Sequence, residues 1–227
     1  LWIASIGNVA LWRAMAALPE LGNARGYAFM LAFGVGVAAL TALPLALLAW
    51  RWTLKPVLVL YLMAAAGGAF FMLSYGIVID RTMMVNVLLT DSREARDLLS
   101  PQLFGALAVL GLLPALAVWR TRLQWATPAR QLLRNLGLAL LSILLVVASA
   151  GLFFQDLSST MRNHTQLRFL INPLNSFYAL AIIGQPPVQR SGVAVLTLGA
   201  DAHLAASSPH AKTPLVVTVL AETATAD

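Results

Sequence analysis

LALLSILLVVASAGLFF, residues 138 to 154, runs for seventeen positions without a charge. A bilayer's hydrocarbon core is about 30 Å thick and takes about 20 apolar residues to cross as a helix. With the three residues before it, this stretch meets that length as a span over 135–154. Four more runs of the same character lie upstream: 1–17, read as the end of a truncated first helix, then 27–50, 56–79 and 102–119. Pro114 falls inside the last of these. Membrane helices tolerate such a proline when neighbours satisfy the freed carbonyl. The run AAAGGA at 64–69 offers small side chains against which another segment packs closely.

The composition agrees. The 227 residues are 59% hydrophobic and 11% charged, against about 25% charged in ordinary soluble domains. The net charge of +6 is too scattered to track a nucleic acid. Its distribution has a plainer meaning. Arg51, Lys55, Arg120, Arg122, Arg130 and Arg134 occupy the connections after the second and fourth spans, and all 9 acids fall on the other side. Basic residues gather in short cytoplasmic loops. The opening segment, residues 80–101 and everything after 154 are therefore expected outside, which in a bacterial inner membrane is the periplasm. Without cysteine there is no disulfide and no thiolate metal site. The chain begins without Met and stops after ETATAD, and reads as a fragment cut at both ends.

Residues 1–156 thus read as an all-α membrane bundle of five helices. Residues 157–213 read as interfacial helices, broken at Pro173, followed by a linker. In the interfacial part Met161, Leu167, Leu170 and Phe177 would face the apolar side while Arg162 and Arg168 reach headgroups. From 214 the run PLVVTVLAE has the Val-rich pattern of a buried strand. Residues 214–227 would open an α/β domain.

Two groups of residues carry possible chemistry. Glu222 ends the strand, where open α/β sheets gather ligands, and a carboxylate there suits a metal such as Zn²⁺. A solvated acid at a strand end is the commoner case. Asp201, His203 and His210 lie in the linker without regular spacing, and Thr223 adjoins Glu222 but points the other way along a strand. The second group is NVLLTDSREARDLL at 86–99. Asp91 with Glu94 three residues on fits a capping box, and Arg93 with Asp97 makes an i, i+4 pair. Alternatively, a helix running through places Asn86, Thr90 and Glu94 at i, i+4 and i+8, a polar stripe suited to a lipid headgroup, with Glu94 matching an ammonium. Spacing alone leaves these two readings even.

Three stretches carry a resemblance. YGIVIDRTMMVNVLLTDSREARDLL at 75–99, RFLINPLNSFY at 168–178 and PLVVTVLAETATAD at 214–227 are similar, in that order, to the lipid A phosphoethanolamine transferases, the family that includes mobile colistin-resistance enzymes. The resemblance implies a membrane bundle followed by an α/β, alkaline-phosphatase-like catalytic domain in the periplasm. It implies transfer of phosphoethanolamine from phosphatidylethanolamine to a lipid A phosphate through a phospho-threonine, with Zn²⁺ as cofactor and polymyxin resistance as the outcome. It makes Glu222 a zinc ligand and Asn86, Thr90 and Glu94 the headgroup contacts. The threonine nucleophile and remaining ligands are expected beyond residue 227, so the fragment alone is expected to be inactive. Ala221 and Thr225 stand where the family has glycine and arginine. The expected partners are the membrane, the phosphatidylethanolamine donor and the lipid A acceptor, with no nucleic acid, and the expected state is a monomer. The alternatives are a sister transferase acting on core sugars or another acceptor, and a non-enzymatic transporter or membrane remnant. The transporter reading lacks an ionisable residue deep within spans two to five.

Overall fold

A computed structural model describes residues 1–90, 93, 96 and 98–183. Every regular element among these residues is helical. In chain order the helices are α1 (Trp2–Ser5), α2 (Val9–Ala16), α3 (Ala24–Leu47), α4 (Leu54–Tyr75), α5 (Arg81–Leu89), α6 (Pro101–Arg120), α7 (Pro128–Leu152), α8 (Phe154–Asn163) and α9 (Leu174–Ile183). Of these, α3, α4, α6 and α7 are long and apolar enough to cross a membrane.

Local chemistry sets their ends. The Asn23 side chain accepts from the Gly26 N–H at 2.8 Å and starts α3 earlier than the apolar run alone suggests. At the far end of α4, Gly76 adopts φ +66°, which a residue without Cβ reaches freely, and the helix stops there. Ser100 accepts from the Leu103 N–H at 3.2 Å and Pro101 takes the first turn of α6.

Pro114 does not simply kink α6. The stretch Leu107–Leu112 winds as a π-helix just before it. Proline lacks the N–H that would reach the carbonyl four residues back, and that carbonyl, Leu110 O, accepts instead from the Trp2 indole N–H at 3.2 Å. Gly111 lets this wide turn press against α4, where a Cβ at Gly111 would lie 2.7 Å from Met63 Sδ.

The opening segment is one place where the expectation is not met in full. Residues 2–16 are helical but interrupted by the 3₁₀ turn Ile6–Asn8, and they do not form a fifth helix of crossing length. The interruption has a cause. Asn8 is buried, and its amide donates to Ile3 O at 2.8 Å and to Asn172 O at 2.6 Å. The AAAGGA run is used as its small residues suggest: Ala65 lies against Gly7, Gly68 against Asn172 and Gly67 toward Leu107 of α6.

The basic connections lie together at one end of the bundle. Lys55 Nζ donates to Trp119 O at 2.7 Å, and Gln131 and Asn135 both donate to Ala49 O, at 3.1 and 3.0 Å. At the other end, the segment after α7 departs from the interfacial reading. Leu167 and Leu170 are buried with Leu11, Met15 and Phe29 in the protein core, and Phe177 packs on Tyr61 with ring centroids 4.8 Å apart. Arg162 and Arg168 remain exposed. Leu167, Leu170 and Phe177 therefore face other helices, while the two arginines face outward. The chain breaks at Pro173, as its ring requires, and α9 starts at the next residue.

A candidate lipid headgroup site

α5 positions the candidate site. Asp80 starts it by accepting from the Met83 N–H at 2.8 Å. Asp80→Ala is expected to cost about 1 kcal/mol of stability, read as a small fall in the melting temperature of the purified protein. An unchanged melting temperature would remove the cap from the account. The helix ends at Leu89, and Thr90 leaves it with φ −58° and ψ 128°. Asn86 and Thr90 therefore sit one turn apart at the end of α5, but the helix does not carry the i, i+4, i+8 stripe through to residue 94. Glu94 lies outside the described residues, as do Asp91 and Asp97 of the alternative capping reading.

The Thr90 hydroxyl donates to Asn86 O at 2.7 Å. A hydroxyl has one proton to donate and two lone pairs to accept with. Its proton being committed to the helix end, Thr90 meets a ligand as an acceptor. That polarity fits an ammonium, which only donates. Asn86 is exposed beside it.

Below Thr90 is a cavity of about 450 Å³, walled by the end of α4, by α5 and by the start of α6. A second asparagine braces this corner. Asn175, in the first turn of α9, donates through its amide to Ile79 O, just before the Asp80 cap, and to Phe169 O at 3.1 Å. Nothing in the spacing of the sequence joins Asn175 to residue 79.

The expected metal ligand Glu222 lies outside the described residues, as do Asp201, His203, His210 and Thr223. Among the described residues no three His, Asp or Glu side chains come together as a metal site. Among the described residues, ion pairs at this end of the bundle join Arg25 to Asp156 at 3.0 Å and His164 to Glu20 at 3.4 Å, each linking separate segments. The Glu20 carboxyl is held below its usual range, first by a hydrogen bond from its own backbone and then by His164.

Four apolar helices of crossing length, capped at one end by short helices that carry a polar turn over an apolar cavity, define an integral membrane protein. Residues 37–186 match the family described as phosphoethanolamine transferase EptA/EptB. The chain belongs to that family. It is 31% identical to the Escherichia coli phosphatidylethanolamine transferase Mcr-2, over all of this chain and 42% of that protein. It is 34% identical to Mcr-1 of the same organism, over 78% of this chain and 33% of the relative. The integral membrane lipooligosaccharide phosphoethanolamine transferase A (EptA) from Neisseria meningitidis superposes on 80% of this chain and 34% of its own, with a TM-score of 0.71 and 27% identity. The chain thus spans between a third and about two fifths of the length of these relatives.

Proposed function

We propose that this chain is the membrane part of an inner-membrane transferase that moves phosphoethanolamine from phosphatidylethanolamine to a phosphate of lipid A. The observation that carries the reading is the family match, which runs from within α3 past the end of α9 and so includes α5 with Asn86 and Thr90. In the reaction the bond between phosphorus and the glycerol oxygen of the donor breaks, a bond to an acceptor phosphate oxygen forms, and diacylglycerol leaves. Asn86, Thr90 and Glu94 hold the donor's ethanolamine head, Thr90 as acceptor and Glu94 as the matching charge. The basic end of the bundle faces the cytoplasm and α5 the periplasm, in keeping with basic loops lying inside. An ethanolamine amine on lipid A would offset a phosphate charge and weaken the binding of cationic peptides such as polymyxins.

Residues 214–227 open the periplasmic α/β catalytic domain in this reading, with Zn²⁺ as cofactor and Glu222 as one ligand. In this reading the described residues, among which no three His, Asp or Glu side chains cluster, serve the donor lipid.

The test uses the full-length protein expressed in a polymyxin-sensitive strain, with lipid A mass spectra as readout. Phosphoethanolamine additions are expected with the parent sequence. A hydrogen bond to a charged group is worth about 1.5–3 kcal/mol. Thr90→Val and Glu94→Gln are therefore each expected to weaken donor use roughly ten- to hundredfold at unchanged protein level. Unmodified lipid A with the parent sequence would sink the acceptor assignment. Full donor use by both variants would sink the headgroup site.

A further inference from the structure

The cavity below Thr90 is larger than a headgroup contact requires and has the wrong lining for one. Its walls come from Phe71 and Tyr75 of α4, Met83 and Val87 of α5, and Leu103 of α6, with Thr90 at the end of α5. Apart from the Thr90 and Tyr75 hydroxyls these are apolar side chains, and the cavity measures about 450 Å³. Water in such a space finds few of the two to four polar partners it needs. Two walls are the ends of helices of membrane-crossing length, which puts the cavity at the edge of the apolar span, within reach of an acyl chain. Val87 is 52% exposed and Leu99, also in the lining, 54%. The wall is thus open sideways. Exposed apolar surface of this kind marks a binding groove.

We infer that this cavity seats one acyl chain of the phospholipid whose ammonium meets Thr90. The inference deepens the donor reading above and rests on it for the headgroup alone. One lipid satisfies both halves of the corner: the acceptor-only hydroxyl at the end of α5 and the apolar space beneath it. Met83 and Met84 both line the space, and their unbranched, polarizable side chains adapt to chains of different shape.

The experiment uses full-length protein in lipid nanodiscs and two photoreactive probes. These are phosphatidylethanolamine and phosphatidylglycerol, each with a diazirine at the end of one acyl chain. Crosslinks from the phosphatidylethanolamine probe are expected in peptides from 71–75, 83–90 and 98–103. Val87→Trp fills the space from a half-exposed position, excludes the chain by its bulk, and is expected to cut these crosslinks severalfold. Leu88→Trp, at a neighbouring position that lines no part of the cavity, is expected to leave them unchanged. Val87→Asp places a carboxylate against the chain and is expected to act like Val87→Trp, which keeps the test open should the tryptophan misfold. Crosslinks that survive both Val87 variants, or that spread evenly onto α7, would overturn the acyl seat. Equal labelling of the cavity by the phosphatidylglycerol probe would support the seat and count against the ethanolamine-specific headgroup site.

Discussion

Asn172→Asp is expected to leave little folded protein. Asn172 is completely buried, and its amide Nδ2 donates to Gly7 O at 2.8 Å and to Ala65 O at 2.6 Å. Its backbone N–H donates to Asn8 Oδ1 at 2.8 Å, and its carbonyl accepts from Asn8 Nδ2. Four contacts thus hold the residue between the opening segment and a point on α4 almost three turns before the helix ends at Tyr75. An ionised Asp accepts and cannot donate. Two bonds to carbonyls would become two repulsions around a buried charge. Leaving a charge uncompensated in an interior costs about 3–5 kcal/mol, and in a domain of this size that lowers the melting temperature by roughly 10 °C. The measurement is thermal unfolding of the detergent-solubilised protein, alongside the yield of monodisperse material. Asn172→Leu, which loses the two donations without adding charge, is expected to cost less, about 2 kcal/mol or more for the stranded carbonyls. A melting temperature for Asn172→Asp within two degrees of the parent would show that Asn172 does not hold these segments together.

This lock was illegible in the sequence for a physical reason. Asn8 and Asn172 are 164 residues apart, and each looks like an ordinary polar residue near a helix end. What the sequence did expose was anything expressed as a local run. The four crossing helices follow from apolar stretches, with ends shifted by a few residues where a cap such as Asn23 or a left-handed Gly76 decides the matter, and with the start of α7 seven residues before 135, at Pro128. Pro114 was visible as a disturbance. The Trp2 indole that satisfies the freed Leu110 carbonyl was not, because it comes from the other end of the chain. Leu167 and Leu170, apolar residues beside arginines, have the pattern of a membrane-interface helix. The pattern does not say whether lipid or protein covers the apolar face, and here Leu11 and Met15 cover it.

The candidate site divides along the same line. The one-turn relation between Asn86 and Thr90 was readable from spacing, and the hydrogen bond from Thr90 to the Asn86 carbonyl follows from it. The end of α5 at Leu89 was one of two readings that spacing left even: Thr90, Asp91 and Ser92 are weak helix formers and a capping box at Asp91 implies a break before it, whereas the polar stripe needs a helix running through. The cavity below Thr90 was not readable. Its walls come from the end of α4, from α5 and from the start of α6, and nothing in the spacing of these three stretches says that their apolar residues enclose a common space.

Gly68 supplies the sharpest test of how α4 and Asn172 fit. A Cβ at Gly68 would collide with Asn172 Oδ1 and lie 2.8 Å from its Cγ and 3.0 Å from its Nδ2. Two effects oppose each other in Gly68→Ala. Alanine improves helix propensity by about 1 kcal/mol. The clash costs about 1–3 kcal/mol as overpacking, and any shift that relieves it stretches the bonds to the Gly7 and Ala65 carbonyls, each worth about 1 kcal/mol. Because Asn172 is tied on several sides it cannot swing away, so the clash wins and a net loss of about 2–3 kcal/mol is expected. The neighbouring glycine is the control. A Cβ at Gly67 would meet Leu107 Cδ2 at 3.9 Å, an ordinary contact, so Gly67→Ala is expected to be neutral or stabilising by up to about 1 kcal/mol. The two glycines share a helix and a sequence context, and only their neighbours differ. A double-mutant cycle separates the terms. In an Asn172→Ala background the collision is gone, and Gly68→Ala should then behave like Gly67→Ala. If Gly68→Ala costs the same in both backgrounds, the close approach of Asn172 is not what requires glycine at this position.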